Sequence, residues 1–203
     1  MENSKRKDLE LRAEKGDIDA LVELGNYYNG LLKSEEAFYY YKKAADLGYV
    51  PAIFQVGLRY IDGDGVGRSM NQGQQYLQKA ADKGYANALY CLGLLYQSGE
   101  VGFWGQEKKA FKCFSEAAEK GHAKAQIELG NMYMEKRKIE QAIFWWACAY
   151  VHGTKDFDAS EAAKDQLNDF CHAFSKGYDI ADSIIKKVQR PEYSQYTNNP
   201  KFG

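Results

Sequence analysis

Apolar residues recur along this chain at i, i+4 and i+8, as in Ala52, Val56 and Tyr60, with a glycine lodged inside each run. That spacing is one face of a helix. The same phrase is written four times: Ala20/Leu24/Gly25/Tyr28, Ala52/Val56/Gly57/Tyr60, Ala88/Leu92/Gly93/Tyr96 and Ala125/Leu129/Gly130/Tyr133. A second apolar stripe follows, such as Tyr76, Leu77, Ala80 and Ala81, and then another glycine. Each unit therefore predicts helix A, a turn and helix B. The closing glycines Gly16, Gly48, Gly84, Gly121 and Gly153 are spaced by 32, 36, 37 and 32 residues. Periods of this size predict helix pairs stacked into a solenoid. The expected units are 17–48, 49–84, 85–121 and 122–153, within one domain over 1–190.

The two sets of glycines predict two different jobs. Gly48, Gly84 and Gly121 follow Ala-Ala-Asp-Leu, Ala-Ala-Asp-Lys and Ala-Ala-Glu-Lys, where a left-handed residue is wanted to close a helix. Gly25, Gly57, Gly93 and Gly130 fall inside helix A, where a glycine costs about 1 kcal/mol against alanine. Close approach of helix B is the compensating gain. The pairs Ala44/Ala45, Ala80/Ala81 and Ala117/Ala118 are the expected facing surface.

An end repeat exposes an apolar face and needs a cap. Residues 4–15 predict an N-terminal helix that mimics a B helix, with Ser4 as its N-cap. At the other end, Ala162, Leu167, Phe170, Cys171 and Phe174 predict an amphipathic capping helix over 158–174, with a second over 180–188. The 191–203 segment, with Pro191, Pro200 and Asn198–Asn199, reads as a loose tail.

The Ala-x-x-x-Leu-Gly-x-x-Tyr phrase, Gly63-Asp64-Gly65-Val66 and the Lys-Ala-Ala-x-x-Gly endings (Lys43 to Gly48, Lys79 to Gly84) resemble the Sel-one-like repeat family of tetratricopeptide-like proteins. The resemblance runs from about Ala13 to Gly153. It implies an all-α fold: a right-handed α/α superhelical solenoid of four helix-pair repeats with helical caps at both ends. Two units depart from the pattern. The first has Gly30-Leu31-Leu32 at its turn, and the fourth has Met134-Glu135-Lys136-Arg137-Lys138 with no glycine, which predicts a shorter, more charged turn.

Composition narrows the function. Twenty-seven basic residues balance 28 acidic ones, and no basic stripe interleaves with aromatics, which disfavours nucleic acid. No apolar run approaches a membrane span, and the charged start Met1–Asp8 lacks the apolar core of a signal peptide. A cytoplasmic protein is expected. Cys91, Cys113, Cys148 and Cys171 lack the paired spacing that a secreted branch of the family uses for disulfides. They read as small buried apolar residues in a reducing compartment.

Chemistry is sparse. The 63–67 loop has no preceding strand and no Lys-Ser/Thr after it, so it reads as a permissive turn rather than a phosphate cradle. Asp62 and Asp64 lack the further oxygen ligands of a calcium loop. His122, His152 and His172 show no metal spacing and read as exposed junction residues. No cofactor, no metal and no catalytic residues are expected. An enzyme, such as the β-lactam hydrolase activity credited to some relatives, is the least favoured class.

The resemblance implies that the A helices line a concave groove. The groove stripe then falls three residues before, one after and four after each mid-helix glycine. It comprises Val22, Asn26 and Asn29; Phe54, Leu58 and Ile61; Tyr90, Leu94 and Gln97; and Ile127, Asn131 and Met134. An apolar centre with a polar rim is the anatomy of a protein interface, although Phe54 and Ile127 could equally pack between A helices. The stripe carries no Lys or Arg, which disfavours an acidic peptide tail as ligand. Phe103 and Trp104, in the 99–106 turn, are either tucked under a neighbour or offered to a partner. The expected function is a non-enzymatic protein-interaction module. An immunity-type inhibitor of a bacterial toxin is the alternative within the binding class.

Overall fold

The structure, a computed structural model, describes residues 3–99, 106–152, 156–173 and 177–190. Among these every regular element is an α-helix. The chain divides into two compact units, Met1–Ala88 and Leu89–Gly203. The first holds α1 (Asn3–Glu14), α2 (Ile18–Gly30), α3 (Ser34–Asp46), α4 (Val50–Asp62) and α5 (Met70–Asp82), and α6 (Ala86–Ser98) begins in it. The second holds most of α6, then α7 (Glu107–Glu119), α8 (Ala123–Glu135), α9 (Ile139–His152), α10 (Phe157–Ala173) and α11 (Gly177–Val188). Helices α2, α4, α6 and α8 are the four A helices, and α3, α5, α7 and α9 the four B helices.

Helix starts are written in the side chains. Asp17 Oδ1 accepts from the Ala20 amide at 3.1 Å and caps α2, and Ser69 Oγ accepts from the Gln72 amide at 3.4 Å at the start of α5. Pro51 sits in the first turn of α4, where its missing N–H is harmless. The B helices end as the alanine–glycine phrase predicts. The Tyr49 amide reaches back to the Ala44 carbonyl at 3.1 Å and the Gly48 amide to Ala45 at 2.9 Å, with Gly48 at φ +87°. This is the paired closure that uses a left-handed residue. The same two bonds recur at Gly84 and Gly121, and at Gly16, where α1 ends as a B helix would.

Two turns make the same closure without glycine. Leu32 at φ +57° and Arg137 at φ +55° take the left-handed position after α2 and α8, with the Lys33 amide on Tyr28 and the Lys138 amide on Tyr133. These turns are short, and a residue with a Cβ bears the strain at the left-handed position.

The mid-helix glycines are buried at close crossings, but the nearest atoms are not the alanine pairs. A Cβ on Gly25 would lie 2.8 Å from the Tyr41 ring, on Gly93 2.5 Å from Phe114 and on Gly130 2.4 Å from Trp146. At Gly57 the neighbours are Leu77 and the carbonyl of Gly73, a second glycine that lets α4 and α5 approach backbone to backbone. The alanine pairs are buried as well. The glycines instead serve as seats for a large side chain one turn earlier on helix B.

The ends need two corrections. Ser4 lies inside α1 rather than capping it; Leu9 and Ala13 are the residues that α1 buries. In α10, Ala162 is exposed, and the apolar face is Ala159, Ala163, Leu167, Phe170 and Cys171. The stripe runs one residue out of phase with the expectation at its start, because Ala159 and Ala163 continue the i, i+4 row to Leu167. Leu167, Phe170 and Cys171 form one cluster with Ile143, Trp146 and Ala181. Phe174 and the 191–203 tail lie outside the described residues.

Candidate partner-binding face

The A-helix stripe divides between surface and structure. In the first unit, Val22 and Asn26 line a recess of about 120 Å³ with Tyr41, Tyr49, Pro51, Ala52 and Gln55. Leu58 is half-buried. Phe54 is only 8% exposed and packs on Tyr85, ring centroids 5.3 Å apart. Ile61 lies against Gly73 of α5, where a Cβ would stand 2.4 Å from its Cγ1, so it faces helix B. Asn29 is exposed, and its Oδ1 accepts from the Arg59 guanidinium.

Arg59 is the residue that the stripe did not foresee. It is 5% exposed, pairs with the Asp64 carboxylate and lies over the Tyr41 ring, 5.2 Å from its centroid. A buried charge is tolerable when a counter-charge and hydrogen bonds accompany it. Asp64, in the glycine-rich loop, is thus the counter-ion of an arginine. The loop itself is the turn expected, with one further requirement. A Cβ on Gly65 would stand 2.0 Å from the Ser34 carbonyl oxygen, so the loop rests its backbone on the start of α3.

In the second unit, Tyr90 stacks on His122 at 4.5 Å, Leu94 is 37% exposed, Gln97 is exposed and Ile127 is half-buried. Met134 packs against the cluster of Trp146 and Leu167, so it belongs to the C-terminal core. Asn131 Oδ1 accepts from the Trp146 indole N–H at 3.1 Å, as Asn26 Oδ1 accepts from the Tyr41 hydroxyl at 2.7 Å. Both asparagines directly follow a glycine whose seat is filled by a ring with a donor. Where the seat holds Leu77 or Phe114, the residue after the glycine is Leu58 or Leu94. Asn26 and Asn131 therefore also act as clasps, whose sequence signal is a donor-bearing ring 16 residues after the glycine. Phe103 and Trp104 lie outside the described residues.

His172 is exposed as expected, but His122 and His152 are half-buried and bonded into the fold. His122 caps α8, its Nδ1 accepting from the Ala125 amide at 3.2 Å, and burial takes its pKa down to about 4. His152 Nε2 bonds the Val188 carbonyl at 3.2 Å. No cluster of metal-ligating side chains occurs among the described residues. A Ser-x-x-Lys spacing, the nucleophile motif of β-lactam hydrolases, occurs twice: Ser4/Lys7 in α1 and Ser183/Lys186 in α11. All four residues are exposed. A nucleophile of that kind needs an activated base held against it. Ser183 borders a recess of about 400 Å³ lined by Glu140, Phe144, Ile180, Ile184 and Lys187.

Helix pairs closed by left-handed residues and seated on mid-helix glycines define an α/α solenoid. The chain belongs to the Sel1 repeat family: residues 18–49, 50–85, 86–122 and 123–153 each match the Sel1 repeat. Proteins of this family typically serve as scaffolds for protein–protein interaction. Solved structures share the fold, two of them repeat proteins of bacteria. One is c5321, a protective antigen of uropathogenic Escherichia coli displaying an SLR fold, at 24% identity and TM-score 0.70 over 94% of this chain and 46% of that one. The chain thus spans about half the length of that antigen. The other is a Sel1 repeat protein from Oxalobacter formigenes, at 21% identity and TM-score 0.66 over 87% of this chain and 75% of that one. No curated protein sequence matches the chain. No helix among the described residues is long and apolar enough to cross a membrane.

Proposed function

We propose that this protein is a non-enzymatic interaction module that holds a protein partner against the exposed faces of its A helices. The supporting observation is Leu94, 37% exposed on α6 between Tyr90 and Gln97 on the same helix face. An exposed leucine flanked by a tyrosine and an amide is the composition of an interface, apolar at its centre and polar at its rim. Leu58 holds the equivalent place on α4. A cytoplasmic location fits the thiols: four free cysteines, with Cys113 pushed up to about 11 and Cys148 to about 12 by burial. Thiols so held are poor nucleophiles and resist oxidation.

Leu94→Asp and Leu58→Asp, each in the full chain, test the reading by capture from native lysate. Loss of a partner that the wild type retains, with helical circular dichroism unchanged, is the expected result. Equal capture by wild type and both variants would move the binding surface elsewhere.

A further inference from the structure

Arg59 fills a place that other repeats give to apolar packing. Two residues after each mid-helix glycine stand Tyr27, Arg59, Leu95 and Met132. Leu95 and Met132 are buried, as Arg59 is. The solenoid therefore packs this position without a charge elsewhere. Replacing a buried ion pair by apolar residues is often neutral or stabilising, so the fold alone does not explain the arginine.

The guanidinium is also incompletely used. Nη1 donates to the Asp64 carboxylate and, at 3.5 Å, to the Asp64 carbonyl, and Nη2 donates to Asn29 Oδ1. Nε is buried and has no hydrogen-bond partner among the described residues. A guanidinium has a forked edge, Nε with Nη2, that meets a carboxylate bidentately. On that edge Nε bonds nothing and Nη2 holds a neutral amide oxygen. Asn29 is exposed, so its oxygen can be turned aside without opening the core.

The recess of about 120 Å³ leads to this edge. Asn26 and Gln55 line it, and Asn29 and Arg59 stand one turn further along α2 and α4. Tyr41 lines it too, with the guanidinium 5.2 Å from its ring centroid. Its described lining carries no charged side chain. Asn26 Oδ1 is taken by the Tyr41 hydroxyl at 2.7 Å, which leaves its amide to donate. Nearby charges are committed or exposed: Lys5 pairs with Glu23 at 2.6 Å, Arg68 donates to the Ile61 carbonyl at 2.9 Å, and Asp62 is exposed at the end of α4.

From this charge complementarity we infer that the partner lays a segment along the recess and sends a glutamate side chain to Arg59, displacing the Asn29 oxygen so that the carboxylate takes Nε and Nη2 together. The inference rests on the proposed use of the A-helix faces, and names the chemistry the first unit selects. Nη2 exchanges a neutral acceptor for a charged one, which is stronger, and the buried Nε gains the acceptor whose absence is costly. The stripe itself has no Lys or Arg; Arg59 stands beside it and supplies the cation. Glutamate suits the site because its stem carries the carboxylate down to a buried edge.

The test uses the full chain, isotopically labelled, and three capped tripeptides, Leu-Glu-Leu, Leu-Gln-Leu and Leu-Lys-Leu, followed by nuclear magnetic resonance. The reporter is the Arg59 Nε–H, the donor that gains a bond, assigned by its loss in Arg59→Met. Expected is a saturable downfield shift with the glutamate peptide and at least ten-fold weaker binding of the other two. Arg59→Met, which copies the fourth repeat, should bind the glutamate peptide at least ten-fold more weakly, read from the Asn26 and Gln55 backbone amides. Asn29→Ala should bind it no less tightly, since the oxygen it removes is the one displaced. Equal binding of the glutamate and glutamine peptides, no Nε–H shift at millimolar peptide, or an unaltered affinity in Arg59→Met would overturn the inference. The Nε–H shift is read on the wild type and does not depend on how well a variant folds. Native-partner capture separates the two levels. If Leu58→Asp abolishes it and Arg59→Met does not, the A-helix face stands and the glutamate contact falls.

Discussion

The first and fourth repeats differ from the second in one consistent way. The first and fourth are the short ones, 32 residues from closing glycine to closing glycine, and the second has 36. The short repeats turn from A to B on a single left-handed Leu32 or Arg137 and seat a donor-bearing ring, Tyr41 or Trp146, clasped by an asparagine. The second repeat turns through Gly63 and Gly65 and seats Leu77 with Leu58 beside the glycine. Both solutions bury the same crossing. One holds it with a directed bond and a strained turn, the other with apolar contact and a relaxed loop. Identical phrases in sequence therefore conceal different physics, and perturbations should separate them.

Acid gives the largest separation. His122 caps a short repeat and is bound in its neutral form, with a folded pKa of about 4 against an ordinary value near 6.5. Its contribution is present above the unfolded pKa and is lost as pH falls through 6.5 towards 4, to a limit of roughly 3 kcal/mol. Desolvation is the chief cause of the shift, with Asp156 opposing it and Lys124 reinforcing it. The difference in stability between wild type and His122→Asn, measured by denaturant unfolding at pH 7, 5.5 and 4.5, should move in favour of the variant as pH falls. A difference independent of pH would remove the cap from the account.

Adding one methyl group at the seats comes next. Gly130→Ala forces a Cβ to 2.4 Å from the Trp146 ring and should cost about 1–3 kcal/mol. Gly57→Ala meets Leu77 at 3.1 Å, and the gain in helix propensity of about 1 kcal/mol offsets much of the crowding. Thermal melts that shift equally for the two variants would show that the seats are equivalent after all.

The clasp itself is smaller. Trp146→Phe and Asn131→Leu should each cost about 1 kcal/mol, the usual net worth of one hydrogen bond. The double variant reproduces the Phe114–Leu94 pairing of the third repeat, so it should cost less than the sum of the two. Strict additivity in the cycle would mean that the bond contributes nothing.

Smallest is relief of the strained turns. Leu32 is 90% exposed and Arg137 is exposed, so replacing either by glycine removes a left-handed Cβ and little else. Each change should raise stability by up to about 1 kcal/mol, partly offset by the greater freedom of glycine in the unfolded chain. A lower melting temperature in both would contradict the strain.

The repeat, its helix pair and its closing glycine could be read directly because they depend on local rules: periodicity, a left-handed stop and a small residue at a crossing. What fills the crossing could not. The alanine pairs were the obvious small surface, yet a glycine leaves room for a large neighbour, and only tertiary packing chooses Tyr41, Phe114 or Trp146. The same gap hid the bonds by which Asn26 and Asn131 answer those rings. Ile61 and Met134 went astray because one helix face adjoins two neighbours at once, and spacing alone does not say which. Arg59 left no signal in the apolar pattern, since its counter-ion sits in the glycine-rich turn.

All three tryptophans of the chain, Trp104, Trp145 and Trp146, fall beyond residue 88, where the second compact unit begins. Indole emission therefore watches only the C-terminal half of the array, while far-ultraviolet dichroism weighs every helix alike. Repeat arrays gain cooperativity only through neighbouring contacts, so a midpoint that differs between the two signals would be an optical measure of how firmly one half is tied to the other. The chain carries that gauge already, without a label.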